Sequence, residues 1–195
     1  MRMWFGKIPA IGDFCGAAMP QAVEFELDGW ISDCLRNCEQ LFGQEWLQLY
    51  FNAPMSGFYW PPGVCKSLGQ NHAVGILMPS VDKAGRAYPL IVLQLLEPQP
   101  NPEQTEASLQ QWLMKVHAIC SQTLEDDWPP EALNQALSEL PPLAQRAVQL
   151  EIKASETPQA QWFKLQDGGI EQHQLACEGL PNAIQFCQLY GYTAP

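Results

Sequence analysis

Two segments of this chain are apolar at almost every position, and only a short polar loop separates them. Ala73 to Met78 and Tyr88 to Leu96 are rich in Val, Ile and Leu, which predicts two β-strands. The connection from Val81 to Gly85 is typical of a hairpin loop, in which Gly85 can adopt a positive φ. A strand that is apolar on both faces needs cover on both faces of its sheet. These strands therefore predict a central sheet sandwiched by helices.

Apolar residues recur at helical spacing in the segments that would supply these helices. The first helix is expected from near Pro20 to Gly43, with one wide buried face. Further helices are expected at Glu45–Phe51, from an N-cap at Asn101 to Leu124, at Glu131–Leu140 and after Asn182, and further strands at Gly57–Trp60, Trp162–Leu165 and Ile170–Ala176. The element order predicts an α/β fold: a single-domain, three-layer α-β-α sandwich with a mixed, largely antiparallel central sheet.

The charge balance disfavours whole classes of partner. The 195 residues include 21 Asp and Glu against 10 Lys and Arg, which gives a formal net charge of -11. Nucleic acid and anionic membrane surfaces both attract basic patches, so we expect neither partner. No window reaches the roughly 18 apolar residues of a membrane span, so we expect no direct membrane insertion. Residues 98–195 carry 12 acids and 4 bases, which favours a basic protein partner steered to acidic C-terminal helices.

The familiar motifs for catalysis, metal binding and phosphate binding are missing from the chain. It contains no C-x-x-C, H-E-x-x-H or G-x-S-x-G pattern and no glycine-rich phosphate loop. The seven cysteines lie within apolar patterns, and Cys34 and Cys38 fall on the apolar stripe of the first long helix, so we expect reduced core thiols in a cytosol. We therefore expect a protein that is not an enzyme, with no catalytic, metal-binding or cofactor-binding residues.

Two blocks of the N-terminal half are specific. Residues 4–14 are WFGKIPAIGDF, and residues 75–90 are GILMPSVDKAGRAYPL. Together with matching residues that occur in the same order between them, these blocks resemble the TagF family of type VI secretion system-associated regulators. The match is strongest over residues 4–90 and looser over 98–195, and one TagF-like domain is expected to cover residues 1–195.

The resemblance implies a function as well as an α/β sandwich. It implies a cytoplasmic, non-enzymatic protein that restrains assembly or firing of the type VI secretion apparatus after translation. The implied partners are the forkhead-associated scaffold protein and the cytoplasmic side of the membrane complex. Two alternatives stay open: a metal-dependent hydrolase or phosphoesterase that uses Asp82 or Asp13, and a structural accessory that stabilises the scaffold without regulating it.

The two matching blocks also supply the candidate interaction site. Asp13 and Asp82 can each pair with Arg86, which would hold the N-terminal loop (residues 7–14) against the hairpin (residues 80–86). We expect this loop and hairpin to form one exposed ridge that contacts a protein partner. The candidate residues on this ridge are Lys7, Asp13, Phe14, Ser80, Asp82 and Arg86. The alternative is a buried ion pair that only holds the fold.

Overall fold

The computed structural model describes residues 2–96, 108–152, 159–166 and 169–192. The described strands are β1 (Arg2–Gly6), β2 (Cys15–Ala17), β3 (Ser56–Trp60), β4 (Ala73–Met78), β5 (Leu90–Leu95), β6 (Ala160–Gln166) and β7 (Gly169–Cys177). The described α-helices are α1 (Gln21–Phe42), α2 (Trp46–Phe51), α3 (Leu109–Glu125), α4 (Pro130–Glu139), α5 (Gln145–Glu151) and α6 (Ala183–Leu189). Short 3-10 turns lie at Gly43–Glu45 and Lys66–Leu68.

The seven described strands form one sheet in the order β2-β1-β5-β4-β3-β6-β7. Each neighbouring pair in this sheet is antiparallel. The apolar strands β4 and β5 lie inside the sheet, and each position of β4 is buried. Burial on both faces is the reason that these strands lack the polar alternation of a half-exposed strand. The predicted three-layer sandwich with a largely antiparallel sheet is confirmed.

Two apolar cores lie on opposite faces of the sheet. Successive side chains of a strand point to opposite faces, so Ile91 and Leu93 of β5 pack into one core while Leu90 and Val92 pack into the other. Helices α1, α2 and α6 cover the first core, and α3, α4 and α5 cover the second. None of the helices in the described part of the chain is long and apolar enough to cross a membrane.

Most helix boundaries follow the expected signals. Helix α1 ends before Gly43, whose φ of 54° is in the left-handed region. The side chain of Asn182 caps α6 in a reciprocal capping box with Gln185. Helix α3 begins at Leu109, and the Ser108 side chain accepts a hydrogen bond from the backbone N–H of Gln111 at 3.1 Å, so the N-cap of this helix is Ser108 and not the expected Asn101. Asn101 itself lies outside the described residues.

One expectation about the cysteines is also wrong. Cys34 and Cys38 are buried in the core under α1, as their stripe position predicts. Cys38, however, forms a disulfide bond with Cys187 of α6, so these two are not reduced thiols. The apolar stripes of α1 and α6 pack against the same core, and this burial brings the two sulfur atoms together. Of the other cysteines, Cys15, Cys34, Cys65, Cys120 and Cys177 are free thiols.

We expect Gly75→Ala to destabilise the protein by about 3 kcal/mol or more. A Cβ atom at this position would lie 2.1 Å from the carbonyl oxygen of Val92 and 2.5 Å from the ring of Phe58. Gly29 of α1 is the matched control, because it is exposed and a Cβ there meets nothing within 4 Å. Gly29→Ala should stabilise the helix by about 0.5–1 kcal/mol. Urea unfolding measures both changes, and a similar free energy of unfolding for the two variants would contradict this packing.

The disulfide bond predicts a thiol count. When the purified protein is denatured without reductant and alkylated, two of its seven cysteines should stay unmodified, and reduction should make all seven reactive. Reduction should also lower the thermal midpoint, because the bond links residues 149 positions apart and restricts the unfolded chain. Alkylation of all seven cysteines without reductant would contradict the bond.

Candidate functional site

The hairpin between β4 and β5 is shaped by the side chain of Asp82. Its Oδ1 atom accepts hydrogen bonds from the backbone N–H groups of Ala84 at 2.9 Å and Arg86 at 3.0 Å. An Asp side chain at a turn commonly satisfies backbone donors in this way. Gly85 completes the turn with a φ of 77°, and its N–H donates to the carbonyl oxygen of Asp82 at 2.8 Å. The hairpin is therefore a fixed structure.

The same carboxylate is the centre of a buried ion cluster. Asp82 Oδ2 lies 2.7 Å from Nε of Arg86 and 3.0 Å from Nζ of Lys7, and Asp82 is 1% exposed. Burial raises the pKa of Asp82, but the hydrogen bonds from the backbone of Arg86, from the side chains of Lys7 and Arg86 and from the backbone of Ala84 outweigh it. The pKa of Asp82 consequently lies well below its ordinary value of 3.8.

The N-terminal loop is bound to this hairpin at several points. Nη2 of Arg86 donates to the carbonyl oxygen of Gly12 at 2.6 Å, and the backbone N–H of Lys83 donates to the carbonyl oxygen of Ile11 at 2.8 Å. The hydroxyl of Ser80 donates to the carbonyl oxygen of Lys7 at 2.6 Å. Loop and hairpin, more than 60 residues apart in the chain, therefore form one surface.

Asp13 does not take the place that the sequence suggests. Its exposed carboxylate accepts a hydrogen bond from the backbone N–H of Phe14 at 2.8 Å, and within the described residues it forms no ion pair. The expected Asp13–Arg86 pair is therefore wrong. Arg86 still holds the loop, but through the carbonyl oxygen of Gly12, because its Nε atom is already committed to Asp82.

An aromatic group continues the ridge beyond the ion cluster. The ring of Phe14 is 44% exposed. It stacks on Phe5 with centroids 5.5 Å apart and lies nearly perpendicular to the ring of Tyr88, with centroids 4.7 Å apart. The ammonium of Lys7 lies 5.1 Å from the Phe14 ring centroid, which is within cation–π range. The hydroxyl of Tyr88 donates to Asp28 of α1 at 2.8 Å. Phe14 is thus exposed to solvent yet fixed in orientation.

The candidate residues divide by exposure. Lys7, Ser80 and Asp82 are buried and form the base of the ridge, whereas Asp13, Phe14 and Arg86 are exposed along it. The alternative of a buried ion pair that holds the fold thus describes Asp82. The interaction role of the exposed residues stays a prediction. Within the described residues, no group of three or more His, Cys, Asp or Glu is placed to hold a metal ion.

Two contributors were missed at the level of sequence. The hydroxyl of Tyr50 in α2 donates to the carbonyl oxygen of Ser80 and accepts from its N–H, both at 2.8 Å. Tyr50 lies in an apolar helical pattern that indicated only core packing. The carbonyl oxygen of Gly12 is a backbone atom, so no side chain in the sequence indicates its contact with Arg86. Both contacts fix the start of the hairpin and the end of the loop.

The comparisons with known proteins concern the family and the fold. A family model described as the TagF N-terminal domain, Type VI secretion system-associated, matches residues 3–140, which include the whole ridge. The crystal structure of PA0076 from Pseudomonas aeruginosa PAO1 is similar to this chain, with a TM-score of 0.73 and 25% sequence identity. That alignment covers 100% of this chain and 96% of PA0076. No curated relative matches the chain.

Asp82→Asn should lower the stability of the protein at neutral pH, and the stability of this variant should change less than that of the wild type as the pH is lowered. Because the pKa of Asp82 is depressed in the folded state, its stabilisation is fully present above the unfolded pKa of about 3.9. It is lost as the pH falls through that value toward the folded pKa. The wild-type thermal midpoint should therefore fall more steeply below about pH 4 than that of Asp82→Asn.

Asp13→Asn is the matched control, because it removes one exposed carboxylate without touching the ion cluster. Its thermal midpoints across the same acid range should follow those of the wild type. Equal acid sensitivity of Asp82→Asn and the wild type would show that the Asp82 cluster does not stabilise the fold.

Proposed function

Because the chain belongs to the TagF family of type VI secretion system-associated proteins, we propose that it is a negative regulator of that apparatus. It restrains assembly or firing after translation, by binding proteins and without catalysis. Its partner is the forkhead-associated scaffold protein, met in the cytoplasm at the cytoplasmic side of the membrane complex. The family supports the association with the secretion system, and the ridge supports a mode of action by binding.

The observation that carries this proposal is the construction of the ridge. A buried ion cluster and backbone hydrogen bonds hold loop and hairpin together, while Phe14, Lys83 and Arg86 are exposed. Aromatic residues, Phe included, and Arg are enriched in protein interfaces, and Arg is also enriched among the residues that contribute most of the binding energy. A surface that is ordered before binding also loses less entropy in the complex.

The same geometry disfavours the hydrolase alternative. A general base or metal ligand needs an available oxygen lone pair, but both carboxylate oxygens of Asp82 already accept two donors each. Their low proton affinity also makes Asp82 a poor base. Asp13 is exposed, and the one hydrogen bond to its carboxylate from the described residues comes from the Phe14 N–H. The structural-accessory alternative is separated from regulation by the direction of a secretion phenotype.

The test measures secreted tube protein in a strain that lacks the gene. Deletion should raise secretion, and re-expression of the wild type should lower it again. Arg86→Ala should restore repression only in part, because the exposed guanidinium is lost and the Gly12 carbonyl loses its donor. Arg146→Ala on α5 is the matched control, because this exposed arginine lies outside the loop and the hairpin, and it should repress fully.

Three outcomes would contradict parts of this proposal. A fall in secretion on deletion would contradict repression and favour the structural accessory. Full repression by a folded Arg86→Ala variant would contradict the ridge as the interaction site. Purified scaffold protein that fails to bind the wild type would exclude the proposed partner.

A further inference from the structure

The two edges of the sheet differ in their suitability for a further strand. Strand β2 pairs with β1 in an uninterrupted register from Trp4–Ala17 to Gly6–Cys15. Strand β7, at the other edge, pairs with β6 through two register shifts. Bulges twist an edge strand away from further pairing, so they protect β7. Strand β2, although only three residues long, has no register shift, and within the described residues no strand pairs with its outer edge.

A cavity of about 220 Å³ lies beside β2. We call it the edge cavity. It is lined by Phe5, Phe14, Met19, Glu24 and the four consecutive residues 15–18. Apart from Cys15 these four are glycine and alanine, which let another backbone approach closely. An open strand edge with a cavity alongside is the arrangement used in β-strand addition, in which the main chain provides affinity and the cavity selects a side chain.

The backbone at the rim of the cavity is held in an unusual conformation. Ala18 has a φ of 60°, in the left-handed region that residues with a Cβ atom seldom occupy. This conformation ends β2 and turns the chain toward Met19, which packs against the core under α1. The turn keeps the cavity open between β2 and the first turn of α1, where Glu24 lies.

The charges around the edge cavity are negative. Asp13 precedes β2 and Glu24 lines the cavity, and neither forms an ion pair within the described residues. The nearby ammonium of Lys7 is already paired with Asp82. An extended segment that carries Lys or Arg complements these carboxylates. A second copy of this chain does not, because each copy has a net charge of -11.

We propose that β2 and the edge cavity bind an extended segment of a partner protein as an added strand. The segment places one apolar side chain in the cavity against Phe14 and carries Lys or Arg beside it. This inference rests on the proposed function only in taking the partner to be a protein of the secretion apparatus. It extends the ridge, because Phe14 belongs to both surfaces.

The first experiment is independent of that function. The full-length protein is used to select from a phage-displayed library of random peptides about ten residues long, enough for one strand. Selected peptides should combine an apolar residue with Lys or Arg, and should slow amide exchange at residues 15–17. Ala18→Asn should weaken binding about tenfold or more, because Asn tolerates a positive φ and places an amide in the cavity. Glu24→Gln should weaken it less.

Ala22→Asn is the matched control, since Ala22 is exposed on α1 and does not line the cavity. It should bind the selected peptides like the wild type. Two results would overturn the proposal: the wild type and Ala18→Asn bind the selected peptides equally, or the peptides slow amide exchange only at residues outside β2. A wild type that forms dimers which Ala18→Asn dissociates would also overturn it, by making the edge a contact between two copies.

The second experiment separates this inference from the proposed function. Wild type and Ala18→Asn are titrated with the purified forkhead-associated scaffold protein. Weaker binding of Ala18→Asn than of Ala22→Asn supports both proposals. Equal binding of all three proteins overturns the edge as the scaffold site and leaves the function standing. No binding by the wild type contradicts the proposed partner, and the peptide selection then decides the edge site alone.

Discussion

Burial of the Asp82 carboxylate is the interaction on which the rest of this surface depends. A buried carboxylate is tolerated only where cations and hydrogen-bond donors replace water. Here the donors come from the hairpin itself and from Lys7, which lies near the N-terminus of the chain. Arg86 then reaches from the same carboxylate to the Gly12 carbonyl. The loop and the hairpin therefore fold as one unit.

That unit, together with β2, forms a surface that is ordered before any partner binds. Loop, hairpin and β2 present an aromatic ring, a guanidinium and an open strand edge on one continuous stretch of surface. Tyr50 and Tyr88 connect this stretch to α2 and α1. Binding at such a surface requires little rearrangement, so most of the interaction energy is available for affinity and selectivity.

The amino-acid sequence predicts the layers of the fold better than the details of the site. Unbroken apolar strands and helical stripes report burial directly, so β4, β5 and α1 were predicted within a few residues. Burial alone does not reveal which side chains meet, so the apolar stripe places Cys38 in the core without predicting its bond to Cys187. A sequence pattern carries no information about backbone carbonyl groups, so it predicts an ion pair between Asp13 and Arg86 instead of the hydrogen bond from Arg86 to the Gly12 carbonyl oxygen. Strand β2 has only three residues, too few for a period to show.

Amide hydrogen exchange at Lys83 tests the central claim most directly. This N–H donates to the Ile11 carbonyl and so reports whether loop and hairpin stay together. In Arg86→Ala its exchange should become much faster, while amides of the central strands β4 and β5 exchange as in the wild type. If Lys83 stays as protected as in the wild type, Arg86 does not hold the loop on the hairpin, and the account of the ridge is wrong.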